Sequence, residues 1–235
     1  MKKTTFLLFL AIIIFTSINS YSNDSGISAV GGTWVVMKDE HPSIQMERET
    51  IDINVYKDYY DVVAVFIFKN HGDACSVFMG FPETGGGDLN CNADLSCFLM
   101  FETSVDGIPT EAKRQLIKND GDEYLAYWIK EVSFGKDDTK KVIVHYQSPL
   151  GSGVSAYYQG LDNFTQYLFS GGNWFGKVEE SKLNVNFNIP VIVREEDREG
   201  NILKPGIKKE ADSYTYYRTN WEAEEYFSLW FRIKE

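Results

Sequence analysis

The sequence predicts an all-β protein, an antiparallel β-sandwich composed of two packed sandwich-like halves. Two observations favour this class. Short apolar stretches alternate with polar residues along most of the chain, and turns containing Gly, Asn or Asp separate them. No stretch of about a dozen residues shows the apolar period of a helix. The chain has 235 residues, of which 15% are aromatic, enough to form a packed core.

The segment 51–82 contains the strands that the sequence defines best. Apolar and polar residues alternate over 51–55, a continuous apolar run follows at 62–68, and alternation returns over 75–82. A short apolar run rich in β-branched residues favours a strand covered on both faces. The turn at 70–73 (NHGD) separates the last two stretches. The segment therefore predicts three adjacent antiparallel strands at the nucleus of the sandwich.

The flanking segments predict further strands. The alternation that begins at Ile44 shifts phase near 50–51, as it does at a β-bulge. Residues 124–129 are apolar on both faces, and the polar turn 135–138 leads from them to the alternating residues 142–146. Two such strands joined by a short polar turn predict a β-hairpin.

Alternation continues to the end of the chain, most regularly over 183–189 and 227–233. Pro149 and Gly151 end the preceding strand, and no linker of biased composition follows. We therefore expect a β-sandwich domain over 23–149 and a second sandwich half over 150–235, packed on the first.

The N-terminus has the features of a secretory signal peptide over residues 1–22. Lys2 and Lys3 precede the apolar run 6–15, and Ser20-Tyr21-Ser22 offers a small-x-small cleavage pattern ending at Ser22. That run is too short to span a membrane. We expect a periplasmic or secreted bacterial protein. Its formal charge of −11 argues against nucleic acid as a partner, because phosphates would be repelled.

The chain contains three cysteines, and export would place them in an oxidising compartment. Cys91 and Cys97 flank a short polar insert, which predicts a local disulfide between them. Cys75 is then a buried thiol on its strand. Pairing of Cys75 with either of the other two is the competing arrangement, and spacing does not choose between them.

Aromatic residues cluster with glycine and asparagine between 157 and 175, and they predict the candidate ligand-binding surface. We assign it to Tyr157, Tyr158, Trp174 and Phe175. Aromatic rings on a β scaffold stack on sugars or fill pockets of a protein partner. The competing interpretation is that these rings belong to the core.

Two further segments match part of a known binding motif but lack residues that the motif requires. Residues 171–177 match the G-x-x-x-x-G-K phosphate loop, but Val178 follows where Ser or Thr should bind magnesium, and a strand is expected where a helix is needed. Residues 88–94 carry oxygen side chains at every second position. Such spacing is found in calcium loops, but the glycine and terminal Glu of those loops are missing. We predict no metal and no cofactor.

No catalytic constellation is evident, since His41, His71 and His145 lie far apart in the sequence and no G-x-S-x-G motif occurs. The sequence therefore favours a non-catalytic binding or structural module of the bacterial cell envelope, whose partner is a protein or a glycan. An envelope hydrolase with a carboxylate pair is the alternative.

Several segments taken together carry a family resemblance: GGTW at 31–34, HPSI at 41–44, MGFPE at 79–83, AYW at 126–128 and SGGNWFGKVEES at 170–181. They resemble an uncharacterised family of bacterial exported proteins, a domain of unknown function. The region 44–149 is also similar to the N-terminal domain of vault and inter-alpha-trypsin inhibitor heavy-chain proteins. Both resemblances imply an exported β-sandwich, and neither implies an activity.

Overall fold

The computed structural model describes residues 25–30, 33–36, 40–83, 95–118, 124–154, 161–169, 173–194, 209–210, 212–221 and 225–234. These residues form strands and no helix, so the predicted all-β fold is confirmed. Among them, no helix suited to crossing a membrane occurs. The strands are β1 (Ser25–Val30), β2 (Thr33–Val36), β3 (Ile44–Val55), β4 (Tyr59–Asn70), β5 (Cys75–Pro82), β6 (Met100–Val105), β7 (Ile108–Pro109), β8 (Lys113–Lys118), β9 (Tyr124–Phe134), β10 (Thr139–Pro149), β11 (Gly151–Val154), β12 (Leu161–Phe169), β13 (Val178–Phe187), β14 (Val191–Arg194), β15 (Lys209–Glu210), β16 (Ser213–Trp221) and β17 (Glu225–Ile233).

The strands form three sheets. A central sheet of seven strands has the order β16-β13-β3-β4-β10-β6-β7. The first flanking sheet has the order β2-β1-β5-β9-β8, and the second has the order β11-β12-β17-β14-β15. Neighbouring strands are antiparallel, except that β13 runs parallel to β3. A parallel neighbour needs a long crossover, which here passes through both flanking sheets.

Both flanking sheets pack against one apolar face of the central sheet. On the first side, Phe81 lies 5.4 Å from Tyr146 between ring centroids. On the second side, Phe187 lies 5.2 Å from Phe231. One continuous cluster of buried side chains includes residues of all three sheets. The fold is thus a layered sandwich, and the long strands β3, β4 and β10 form the middle of its central sheet.

The opposite face of the central sheet, the outer face, is half-exposed. Along β4, the core-facing side chains are completely buried, whereas Val63, Val65 and Ile67 on the outer face are only partly buried. The run 62–68 is therefore apolar on both faces, but among the described residues only one of those faces packs against a flanking sheet. The outer face consequently carries an apolar strip beside its polar side chains.

The predicted three-strand nucleus and the predicted hairpin are both wrong in their pairing. β3 and β4 pair in the central sheet, whereas β5 pairs with β1 and β9 in the first flanking sheet. Likewise, β9 and β10 belong to different sheets. The turns 71–74 and 135–138 therefore cross between layers. Alternation cannot reveal this, because a strand in either layer buries one of its faces.

Asn70 is completely buried and connects the two layer-crossing turns. Its Nδ2 donates to the carbonyl oxygens of Asp73 at 2.8 Å and Gly135 at 2.9 Å. Its Oδ1 accepts a hydrogen bond from the backbone N–H of Gly72 at 3.0 Å, and its own N–H donates to the carbonyl of Asp138. One side chain thus satisfies backbone groups of both turns.

A β-bulge is present in β3, but earlier than predicted. The register with β4 shifts between Met46 and Arg48, which places Glu47 as the extra residue. Buried positions change there from Ile44 and Met46 to Glu49 and onwards. Glu49 is the first core-facing residue after the bulge. Because it is polar, the apolar alternation in the new phase becomes visible in the sequence only from Ile51 onwards.

The central sheet combines strands from both predicted halves of the chain. β13 and β16 come from the segment after residue 149, and the other five strands come from before it. The boundary at residue 149 stays a prediction. Whatever the number of folding units, the central sheet joins the two segments by hydrogen bonds between β3 and β13.

Candidate functional site

The outer face of the central sheet carries rows of polar side chains that bond across strands. Asn184 Nδ2 donates to Asp52 Oδ1 at 2.7 Å, and Asn186 Nδ2 donates to Asn54 Oδ1 at 3.3 Å. These rows arise because side chains at every second position of a strand share one face. On the part of this face formed by β3 and β13, hydrogen bonds between strands therefore hold the polar side chains in place.

A cavity of about 660 Å³ opens where this face meets β6 and β7. Its walls are formed by Phe101 to Ser104 on β6, by residues 109–112, and by Ile143 and His145 on β10. We call it the His145 pocket. Its volume lies within the range of about 300–1,000 Å³ that is usual for small-molecule sites.

His145 is oriented by a carboxylate behind it. Its Nε2 lies 2.9 Å from Asp61 Oδ1, and the same oxygen accepts a hydrogen bond from Gln147 Nε2 at 3.0 Å. A carboxylate only accepts hydrogen bonds, so His145 donates its Nε2 proton to Asp61. In the neutral imidazole the other ring nitrogen, Nδ1, then carries the lone pair.

The second ring nitrogen of His145 faces another carboxylate. Nδ1 lies 4.0 Å from Glu102 Oε2, too far for a direct hydrogen bond. The Glu102 side chain is 73% exposed. His145 is thus placed between one carboxylate that fixes its ring and one that extends into solvent at the rim of the pocket.

The wall opposite His145 is held by hydroxyl groups. Thr103 Oγ1 donates to the carbonyl of Ile143 at 2.7 Å, which joins β6 to β10. Thr110 Oγ1 donates to the carbonyl of Ile108 at 3.0 Å, and the Thr110 N–H donates to the carbonyl of Thr103. The wall therefore has fixed geometry, as a preformed binding site requires.

The described contacts of His145 provide no nucleophile. Its ring nitrogens approach only the carboxylates of Asp61 and Glu102 within the described part of the chain. A Ser/His/Asp-type mechanism needs a hydroxyl or thiol within hydrogen-bond reach of the base. In the described residues the pocket can orient and bind a ligand, but it lacks that catalytic arrangement.

Two buried carboxylates elsewhere have structural partners. Glu49 accepts a hydrogen bond from Ser181 Oγ at 2.6 Å. Glu83 accepts hydrogen bonds at Oε2 from Arg114 Nε at 2.7 Å and from Trp128 Nε1 at 3.1 Å. These bonds give both buried side chains polar partners within the fold.

The predicted aromatic surface needs correction at Trp174. Its side chain is only 2% exposed, and its ring packs edge-on against Phe68 at 4.9 Å between centroids. Backbone hydrogen bonds from His41 to Asn173 and from Phe175 to Ile44 hold the segment so that Trp174 points into the core. Trp174 therefore offers no stacking surface.

The other residues of that predicted surface have different outcomes. Phe175 is 41% exposed and lies 5.6 Å from the ring of His71. Tyr157 and Tyr158 lie outside the described residues. A ligand role for Tyr157, Tyr158 and Phe175 stays a prediction, and Trp174 no longer belongs to the predicted surface.

His41 packs beside Trp174 and gives the first testable prediction. Its Nδ1 accepts hydrogen bonds from the N–H groups of Ser43 at 3.2 Å and Ile44 at 2.9 Å. Burial lowers the pKa of His41. The unfolded chain therefore binds the proton more readily than the fold, and stability is lost as the pH falls below about 6.5.

Replacing His41 by asparagine retains an acceptor near Nδ1 and removes the titrating group. We expect the urea midpoint of His41→Asn to fall less than that of the unsubstituted protein between about pH 7.5 and about pH 5. His71→Asn makes the same substitution at an exposed histidine and is the control for the change of residue type. Equal pH dependence in His41→Asn would contradict the assignment.

The remaining sequence predictions fall partly on residues that the structure does not describe. Cys75 is a free, half-buried thiol and Cys97 is buried, but Cys91 lies outside the described residues, so the Cys91–Cys97 disulfide stays a prediction. The oxygen-rich stretch 88–94 also lies outside them. The segment after Lys177 is strand β13, as predicted, rather than the helix that a phosphate loop requires.

The His145 pocket is not apparent from the sequence. His145 and Asp61 are 84 residues apart, and their contact follows from the register of β10 on β4. His145 and Glu102 are opposed by the register of β10 on β6. The one available signal was a histidine on the more polar face of a strand, and by itself it identifies no partner.

No protein-family model matches the chain, and no curated protein matches it. Among solved structures, the chain is similar to a proposed nutrient-binding protein from Legionella pneumophila. The identity is 15% over 89% of this chain and 70% of that chain, with a TM-score of 0.61. This similarity shows a shared fold. The family resemblance of the sequence stays a prediction.

Two enzymes give lower scores. Yeast LTA4 hydrolase in complex with bestatin is 12% identical over 86% of this chain and 29% of its own length, with a TM-score of 0.41. An M1 zinc metallopeptidase from Deinococcus radiodurans is 6% identical over 84% of this chain and 44% of its own, with a TM-score of 0.37. The chain spans less than half of either enzyme, and these similarities carry no argument about activity.

Proposed function

We propose that this chain is a non-catalytic binding module of the bacterial cell envelope, and that the His145 pocket holds its ligand. The observation that carries the proposal is a cavity of about 660 Å³ in which the lining residues Thr103 and His145 are held on strands by hydrogen bonds. The ligand is a small molecule or a side group of an envelope protein or glycan. Strand-borne groups suit binding because they lose little freedom when a ligand arrives.

The comparison with known structures supports this proposal at the level of fold. The Legionella protein is described as a proposed nutrient-binding protein, which says nothing directly about this chain. The two share a fold that can present a pocket. The basic and apolar N-terminal residues support export, and with it a role in the periplasm or outside the cell.

Filling the pocket tests its role. Ile143→Trp places a larger side chain in the cavity wall and should weaken ligand binding at least about tenfold, since the ligand loses its space. Ile67→Trp makes the same change on the outer face at a residue that does not line the pocket. Ligand-observed NMR would compare both variants against alkyl amines, carboxylates, alcohols, monosaccharides and capped tripeptides.

The proposal requires a probe whose contact is lost in Ile143→Trp and kept in Ile67→Trp. If no probe shows that pattern, the pocket is not a ligand site. The bound probe should also be recovered unchanged after prolonged incubation. Turnover that Ile143→Trp abolishes would instead favour the hydrolase alternative.

A further inference from the structure

Among the described residues that line the His145 pocket, the carboxylates of Glu102 and Glu111 have no lysine or arginine to balance them, and this property indicates the chemistry of the ligand. From it we infer that the pocket binds an alkylammonium group, either of a free alkyl amine or of a lysine side chain. The inference rests on the proposed binding function and specifies its ligand class. It follows from three features: the tautomer of His145, the side chains that line the cavity, and the spacing of two acceptors.

The first feature is the proton on His145. Asp61 accepts a hydrogen bond from Nε2–H of His145, so Nδ1 of the neutral imidazole presents a lone pair on the side of Glu102. The Gln147 amide donates to the same oxygen of Asp61 and holds this carboxylate beside the ring. The N–H of His145 is thus used outside the cavity, and the neutral ring offers an acceptor to a ligand.

The second feature is the absence of cationic donors from the wall. None of the described lining residues is a lysine or an arginine, whereas Glu102 and Glu111 both line the cavity. The hydroxyl protons of Thr103 and Thr110 are committed to backbone carbonyls, which leaves oxygen lone pairs. Such a wall favours a ligand that donates hydrogen bonds and carries positive charge.

The third feature is the distance between the two principal acceptors. His145 Nδ1 and Glu102 Oε2 are 4.0 Å apart. Hydrogen bonds from nitrogen are about 2.9 Å long, so one ammonium nitrogen can lie between these atoms and donate to both. The charged bond to Glu102 is the stronger of the two.

The cavity also accommodates the methylene chain of an alkyl amine. Pro109, Ala112 and Ile143 supply apolar surface beside the carboxylates. A hydrated divalent cation would gain nothing from that surface, and protein sites for such ions use more ligating groups than these two. No group of three or more metal-ligating side chains occurs in the residues that the structure describes.

Calorimetric titration at about pH 8 tests the inference, because alkylammonium groups still carry their charge there. The probes are pentylamine, pentanol, pentanoate, calcium and zinc ions, and a capped glycyl-lysyl-glycine tripeptide with its norleucine counterpart. We expect binding of pentylamine or the lysyl peptide, and none of the others. Pentylamine alone would identify a free amine as the source, and the lysyl peptide alone would identify a protein side chain.

A charge-matched pair of variants locates the interaction. Glu102→Gln removes the proposed partner of the ammonium group and should weaken binding at least about tenfold. Glu179→Gln removes the same charge from an exposed position of β13, three strands away from β10 in the central sheet. It should change the affinity less than about twofold. The ¹⁵N shift of His145 Nδ1 should move on amine binding.

Each contrary result has a distinct meaning. Binding of pentanol, pentanoate or the norleucyl peptide that Ile143→Trp abolishes would overturn the ammonium inference and leave the pocket as a binding site. Metal binding that Glu102→Gln abolishes would overturn it in favour of a cation site. Equal loss in both Glu variants would reveal unspecific attraction to the acidic protein. If none of the probes binds, the ammonium inference is also overturned. The proposed binding function is then decided separately by the NMR comparison of Ile143→Trp with Ile67→Trp.

Discussion

Replacing Trp174 by alanine is expected to lower the free energy of unfolding by about 3–5 kcal/mol. The indole ring is almost completely buried and packs against Phe68, so its removal leaves a cavity in the core. Urea denaturation followed by circular dichroism would measure the loss. The variant should bind ligands of the His145 pocket normally wherever it remains folded, because Trp174 does not line that pocket.

Phe175→Ala is the control for this prediction. Phe175 is 41% exposed, and truncating it should cost less than about 1 kcal/mol. If Trp174→Ala were as stable as the unsubstituted protein, the prediction that the buried indole stabilises the core would be contradicted. A selective loss of ligand binding with stability unchanged would restore the original prediction of an aromatic surface at Trp174.

Replacing Asn70 by alanine is expected to cost about 3 kcal/mol, the second large effect. The substitution leaves two backbone carbonyls and one backbone N–H of the layer-crossing turns without their side-chain partner. Denaturant unfolding measures the change. Hydrogen exchange should also show faster exchange of the Gly72 amide than in the unsubstituted protein, because its acceptor is gone.

Lys136→Ala provides the comparison in the same turns. Lys136 forms an exposed ion pair with Asp73 at 3.3 Å, and both side chains are largely in solvent. Such a pair contributes little, so the variant should stay within about 0.5 kcal/mol of the unsubstituted protein. Equal effects of Asn70→Ala and Lys136→Ala would show that Asn70 is not the residue that connects the turns.

The strands themselves could be predicted from local sequence. β3, β4, β5, β10 and β13 all lie where alternation or an apolar run indicated them. Their pairing was predicted less well, since β5 and β9 belong to the first flanking sheet. The residue that fixes both crossings, Asn70, looked like an ordinary turn residue. Its side-chain hydrogen bond to the carbonyl of Gly135 connects positions that are far apart in the chain.

The aromatic cluster and the histidines show the same division. A tryptophan among glycines is compatible with a binding surface and with a core position, and only the packing of Phe68 on Trp174 decided between them. His145 gave no functional signal until β4 and β6 were placed on either side of β10. Residue type alone could not identify its partners.

The sequence by itself determined the all-β class, because the period of apolar residues along a strand is a local property of the chain. The tertiary structure decided which strands share a sheet and which aromatic rings are buried, and it placed His145 at a pocket between the carboxylates of Asp61 and Glu102. Those outcomes depend on register between strands that are distant in sequence, and a one-residue slip would turn each side chain to the opposite face.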